Sequence, residues 1–222
     1  MTQSTTTQRC DTSDMRFPHG MLRDAFAEAG HLIDAAATGD RERATNVCSF
    51  YENVLDFLRV HHGAEDELLW PLLRERAPEQ AALLDRVDTQ HAAVEEVSGS
   101  ASRALAAYAS TPGETTAAAL VAALRRLAIE LDAHLVDEER EILPVAALTV
   151  SQEEWGALPG WALRHFSGDK PWLVFGLLFN QMSDAERATT LEHMPTPVRD
   201  MWAATGDRDF TAFMSTVHVP DL

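Results

Sequence analysis

Two histidine–glutamate pairs hold most of the chemistry this sequence can offer. His61 precedes Glu65 by four residues and Pro71 by ten; His134 precedes Glu138 by four and Pro144 by ten. A lone histidine stands upstream of each, His19 lying 42 residues before His61 and His91 lying 43 before His134. Stretches such as "LRVHHGAEDELLWPLL" are either charged helix faces or the walls of a metal site. The spacing alone is weak: 9 histidines and 35 acids in 222 positions give about 1.4 His-x-x-x-acid pairs by chance. Five occur, at His61, His62, His91, His134 and His165, and helical i,i+4 pairing favours some of them anyway. What separates the two readings is whether matching groups arrive at matching depth.

The elements that must position these groups are helices. Residues 16–148 are dense in Ala, Leu, Arg and Glu, with apolar positions three and four apart. Turn formers joined to a cap for the next helix fall at "TGD" (38–40), "RAPE" (76–79) and "TPGE" (111–114). Four helical segments result, at about 17–37, 40–75, 79–110 and 114–148. Connections this short turn each helix back on its predecessor, so the expected fold is all-α: an up-down-up-down four-helix bundle over residues 16–149. Residues 1–15 read as a disordered leader. Residues 150–222 read as an extension of short helices packed on the bundle, two of them opened by the capping-box patterns "SQEE" (151–154) and "SDAE" (183–186).

Antiparallel helices bring two residues to one height when the turn lies midway between them. The midpoint of His19 and His61 is residue 40, that of His61 and His91 is residue 76, and that of His91 and His134 lies between residues 112 and 113. All three fall in the turns, so four histidines, one per helix, share a level. Residues four apart sit about 40° apart around a helix and about 6 Å along it, so Glu65 and Glu138 face the way of their histidines. An inward orientation would place four imidazoles and two carboxylates in a core where unpartnered polar groups are costly. A pair of metal ions is the economical partner, the glutamates bridging or capping them. Imidazole with carboxylate suits iron, manganese or zinc rather than Cu(I). Pro71 and Pro144 either kink their helices or mark a fraying last turn.

On His19, "HHGAEDELLWP" (61–71), His91 and "HLVDEEREILP" (134–144), residues 16–148 resemble the hemerythrin-like (HHE cation-binding) family. The trailing segment looks like the C-terminal extension of actinobacterial hemerythrin-like proteins. The resemblance implies a four-helix bundle holding two iron ions, oxo- or hydroxo-bridged, on His19, His61, Glu65, His91, His134 and Glu138, with Glu65 and Glu138 as bridges. Oxygen-carrying members have a further histidine four residues beyond that of the third helix, where this chain has Glu95. Either Glu95 or His62 is therefore an additional ligand candidate, or one ion keeps an open position. Adjacent helical residues point about 100° apart, so His61 and His62 are not expected both to point straight inward.

The remaining candidates read as supporting or structural. Asp66, Asp137, Glu139 and Glu141 form a solvated face or orient ligand imidazoles. His31 is peripheral, His165, His193 and His218 lie in the extension, and the helical offsets of Tyr51 and Tyr108 keep them off the ligands. A formal charge of −17 argues against nucleic acid or an anionic membrane as partner. Without an apolar leader or spanning run the expected location is cytoplasmic. The function expected is a non-haem di-iron protein binding O2, peroxide or nitric oxide, with catalase- or peroxidase-like activity. The alternative is an iron- or oxygen-responsive regulatory module, without turnover, acting on an unidentified protein partner.

Overall fold

The computed structural model describes residues 10–36 and 40–218. Four rods form the bundle. The first is α1 (Arg16–Ala27) and α2 (Ala29–Ala36), broken at Glu28. The second is α3 (Arg41–Ala64), a π-helical turn (Glu65–Leu69) and α4 (Trp70–Arg76). The third is α5 (Ala81–Ser110), and the fourth is α6 (Glu114–Asp137), a second π-helical turn (Glu138–Ile142) and α7 (Leu143–Thr149). Their bounds lie within a few residues of the expected segments. Asp40 starts α3 by accepting the N–H of Arg43 on its side chain at 3.0 Å, which satisfies one orphan donor of the first turn. Around the bundle α5 packs on α6 and α3, while α1 and α2 pack on α6 and α3.

The prolines do not mark fraying last turns, one of the two readings of the sequence. A proline inside an α-helix lacks a donor and its ring crowds the carbonyl four residues back. Here the chain widens ahead of each one: the N–H of Trp70 bonds the Glu65 carbonyl, and that of Leu143 bonds the Glu138 carbonyl, five residues back. Pro71 and Pro144 then sit in the first turn of α4 and α7, where a missing N–H costs nothing, and both helices continue.

Residues 10–15 of the expected leader belong to the fold. Residues 1–9 lie outside the described residues, but from Cys10 the chain is packed: Cys10 is buried, and its N–H reaches the Ala147 carbonyl at 3.1 Å. Met15 is buried, and the Trp155 indole N–H donates to Asp14 at 2.9 Å. Apolar side chains and an aspartate acceptor hold this stretch, which composition alone had placed among polar, unstructured residues.

The extension comprises α8 (Gln152–Trp155), α9 (Ala157–His165), α10 (Pro171–Asn180), α11 (Asp184–His193), α12 (Thr196–Met201), a π-helical turn (Trp202–Gly206) and α13 (Asp207–Val217). Both expected capping boxes are formed, Ser151 with Glu154 and Ser183 with Glu186. The extension covers one side of the bundle: α9 and α13 pack on α3, and α10 packs on α1 and α3. Gly63 permits the approach of α9, since a Cβ there would lie 2.8 Å from Trp161. Two polar side chains of α3 clamp the loop 166–170. Asn53 accepts the N–H of Lys170 and donates to Asp169, both at 2.9 Å. Asp56 accepts the N–H groups of Ser167 at 2.6 Å and Gly168 at 3.0 Å. Among the described residues no helix is long and apolar enough to cross a membrane.

The core divides into two apolar clusters along the rods. One runs from Met21 through Leu58, Val94 and Leu131 to the extension; the other gathers Ala64, Leu69, Trp70, Leu73, Leu84, Val87, Ile142 and Trp155. The histidine level lies between them.

A carboxylate that accepts backbone N–H groups contributes about 1.5–3 kcal/mol. Asp56→Ala is therefore expected to lower Tm by roughly 3–10 °C and to accelerate proteolytic cleavage within 156–170. Thermal melts and timed digestion of the variant read both effects.

Candidate metal centre

Each rod delivers one histidine to the shared level, and α3 delivers two. His19 on α1, His61 and His62 on α3, His91 on α5 and His134 on α6 are all buried, as are Glu65 and Glu138 at the starts of the two π-helical turns. Their metal-capable atoms form two groups, each with all its atoms within 4.8 Å of one another: His19, His61, Glu65 and Glu138 in one, His62, His91, His134 and Glu65 in the other. Glu65 spans both, with Oε1 3.4 Å from His61 Nε2 and Oε2 3.6 Å from His91 Nε2. Glu138 Oε2 lies 3.5 Å from His19 Nε2 and 3.6 Å from His134 Nε2. The six residues expected from the sequence thus come together.

His62 joins them, and Glu95 does not. His61 and His62 are both buried, and their rings enter different donor groups with centroids 5.6 Å apart. His62 stacks on His91 at 4.3 Å. Glu95 is exposed. The buried stripe of α5 passes from His91 to Val94 and Val97, so it leaves His91 by a three-residue step and carries the i+4 position outside. Of the two additional candidates, Glu95 therefore stays outside the site.

The donor set fits metal ions. The five histidine Nε2 atoms and all four carboxylate oxygens of Glu65 and Glu138 are buried with no hydrogen-bond partner. Each such atom costs about 1–3 kcal/mol, so together they would rival the whole stability of a domain, roughly 5–15 kcal/mol. Cations held between them would satisfy all nine. Protonation suits this as well. Burial pushes His61 and His62 well below the usual imidazole range and His134 down to about 3, which keeps their ring lone pairs free for a metal. Burial pushes Glu65 and Glu138 upward, and a bound cation would reverse that shift by favouring the ionised carboxylates.

Two of the flanking acids orient ligand rings. Glu139 lies 2.8 Å from His19 Nδ1, and Asp66 lies 2.8 Å from His91 Nδ1. Each turns Nε2 inward by occupying the opposite ring nitrogen. The guanidinium of Arg23 holds Glu139 in turn, at 2.7 Å. Arg23 was not singled out from the sequence, although its place four residues after His19 is the signal that could have found it. Asp137 and Glu141 remain on the outside, paired with Arg140. Phe57 stacks along His61 at 6.1 Å and Trp70 tilts against His91 at 5.4 Å, lining the site with apolar surface. His31, His165 and His193 are exposed, and His218 pairs with Glu28 at 2.9 Å. Tyr51 points elsewhere, its hydroxyl donating to the Ala25 carbonyl at 3.1 Å.

The family model described as hemerythrin HHE cation binding domain matches residues 10–146, more than half of the chain, and the chain belongs to that family. No curated protein and no solved structure matches it.

Removing an orienting carboxylate weakens metal binding by about 10–100-fold. Glu139→Gln and Asp66→Asn are each expected to show that loss in chelator competition. The hydrogen bond with His19 pulls Glu139 down to about 2 from its ordinary 4.5, with Arg23 adding to the effect. A carboxylate depressed in the folded state stabilises it above its ordinary pKa and loses that contribution as pH falls toward the depressed value. The Tm gap between wild type and Glu139→Gln is therefore widest above pH 4.5 and closes toward pH 2, as thermal melts across that range would record.

Proposed function

We propose that this chain holds two iron ions in the two donor groups and binds a small oxidant there: O2, peroxide or nitric oxide. Decomposition of peroxide is the reaction it best suits. The observation that carries the reading is the set of nine buried, unpartnered donor atoms divided between two groups that share Glu65. Bound iron would supply exchange of electrons with the oxidant. Peroxide decomposition balances without an outside reductant, since two molecules of peroxide give two of water and one of dioxygen.

The protein's part is placement and exclusion. His19, His61 and Glu138 would hold one ion, and His62, His91 and His134 the other, with Glu65 turned toward both. Four donors per group leave room for an exogenous ligand around iron, which also works with open positions in other imidazole–carboxylate sites. Apolar clusters on either side of the histidine level limit the access of bulk water to it. Two buried free thiols, Cys10 and Cys48, accord with a reducing cytoplasmic location.

Metal analysis of the protein as isolated is expected to find about two irons per chain, with peroxide consumption that His61→Ala abolishes. A protein without iron, or one whose consumption of peroxide survives His61→Ala, would refute the proposal.

A further inference from the structure

A cavity of about 620 Å³ lies between the bundle and the extension, within the size range of small-molecule sites. Its floor is one face of α3. Phe57, Val60, His61, Ala64 and Glu65 recur there at steps of three and four, so the helix carries the apolar wall down to two of the candidate metal ligands. The opposite wall is built by the extension, with Leu163 of α9, Leu178 of α10 and Val198 of α12. The outer rim carries the polar residues Thr189, Thr190 and His193; Thr189 and His193 are exposed, whereas His61 and Glu65 at the inner end are buried.

Charge selects the occupant. Among the described residues, no lysine or arginine lines the cavity, and its only acids are Asp14 and Glu65. Asp14 is engaged by the Trp155 indole, and Glu65 faces the histidines. An anionic head group would find no lysine or arginine in the lining, and an ammonium no carboxylate free to pair with it. We propose that this cavity binds a neutral, mainly hydrocarbon molecule bearing one hydroxyl, such as a long-chain alcohol. The hydroxyl is met by the Thr189–Thr190–His193 rim and the chain runs inward along α3 toward His61. The assignment rests on the proposed metal reading only in its inner end, where the occupant would adjoin the metal.

The test uses the full chain as isolated, titrated with 1-octanol, 1-decanol and 1-dodecanol by displacement of Nile red and by calorimetry. Saturable one-to-one binding is expected, tightening about fourfold per methylene. Dodecanoate and dodecylammonium should bind roughly tenfold or more weakly. Leu163→Arg should lose dodecanol binding by a similar factor and gain dodecanoate. Val198→Trp, which adds bulk at the cavity wall, should weaken every ligand, with circular dichroism confirming that both variants fold. Dodecanoate or dodecylammonium binding as tightly as dodecanol in the wild type would overturn the proposal, as would unchanged dodecanol affinity in both folded variants. Dodecanol should also shift the optical absorption of the bound metal. Saturable dodecanol binding to a protein that carries no iron would leave the cavity standing and remove only the di-iron function.

Discussion

Five imidazoles and two carboxylates meet in the middle of this protein with nothing of the protein's own to satisfy their inward atoms, and most of the architecture is arranged around that fact. Burial keeps three of the rings neutral and favours protonated glutamates until a cation arrives. Apolar clusters above and below supply stability that the polar level does not. Outside the level, Glu139 and Asp66 hold ring orientations, so the entropy of aligning His19 and His91 is met by folding rather than by binding. Packed apolar clusters on both sides of the site hold its walls in place.

The bundle treats its two halves alike, while the extension does not. Each half supplies a helix with one histidine and a second helix whose histidine–glutamate pair runs into a π-helical turn. The extension docks mainly on α1 and α3, through Asn53, Asp56 and the space left by Gly63. The two donor groups are therefore placed in different surroundings. The group containing His61 borders an apolar cavity, whereas the group containing His91 lies against Trp70.

Much of this was legible before any coordinates, for local reasons. Helical period and turn residues fixed the four rods, because amphipathic spacing and caps act over a few residues. Mirror-image placement of histidines about the turns gave their common depth, because helix rise is constant. Glu95 stayed an open candidate because an i+4 relation keeps two residues on one side of a helix without saying whether the buried stripe leaves by three or by four; in α5 it leaves by three. His62 could not be decided because the direction of α3 relative to the cavity centre depends on packing against the other rods. The docking of the extension was not readable either. Asn53 and Asp56 look like ordinary polar helix residues, and only the folded chain brings backbone N–H groups from more than a hundred residues away onto them.

The wide turns have a consequence for how each rod is phased. From Glu65 the buried positions recur at Leu69, Leu73 and Ala77, with Trp70 buried beside Leu69, and from Glu138 at Ile142, Ala146 and Val150, each four residues on. A regular α-helix drifts about 40° with every such stride and would soon turn these side chains toward solvent. Accommodating an additional residue at the acid resets the angle, so each rod behaves as two helices spliced out of step, with the metal-facing carboxylate at the splice. The chain beyond can thus keep its own face toward the core without disturbing the imidazole before it, and a one-residue insertion or deletion at that point would re-aim a whole helical end while leaving the histidine where it stands.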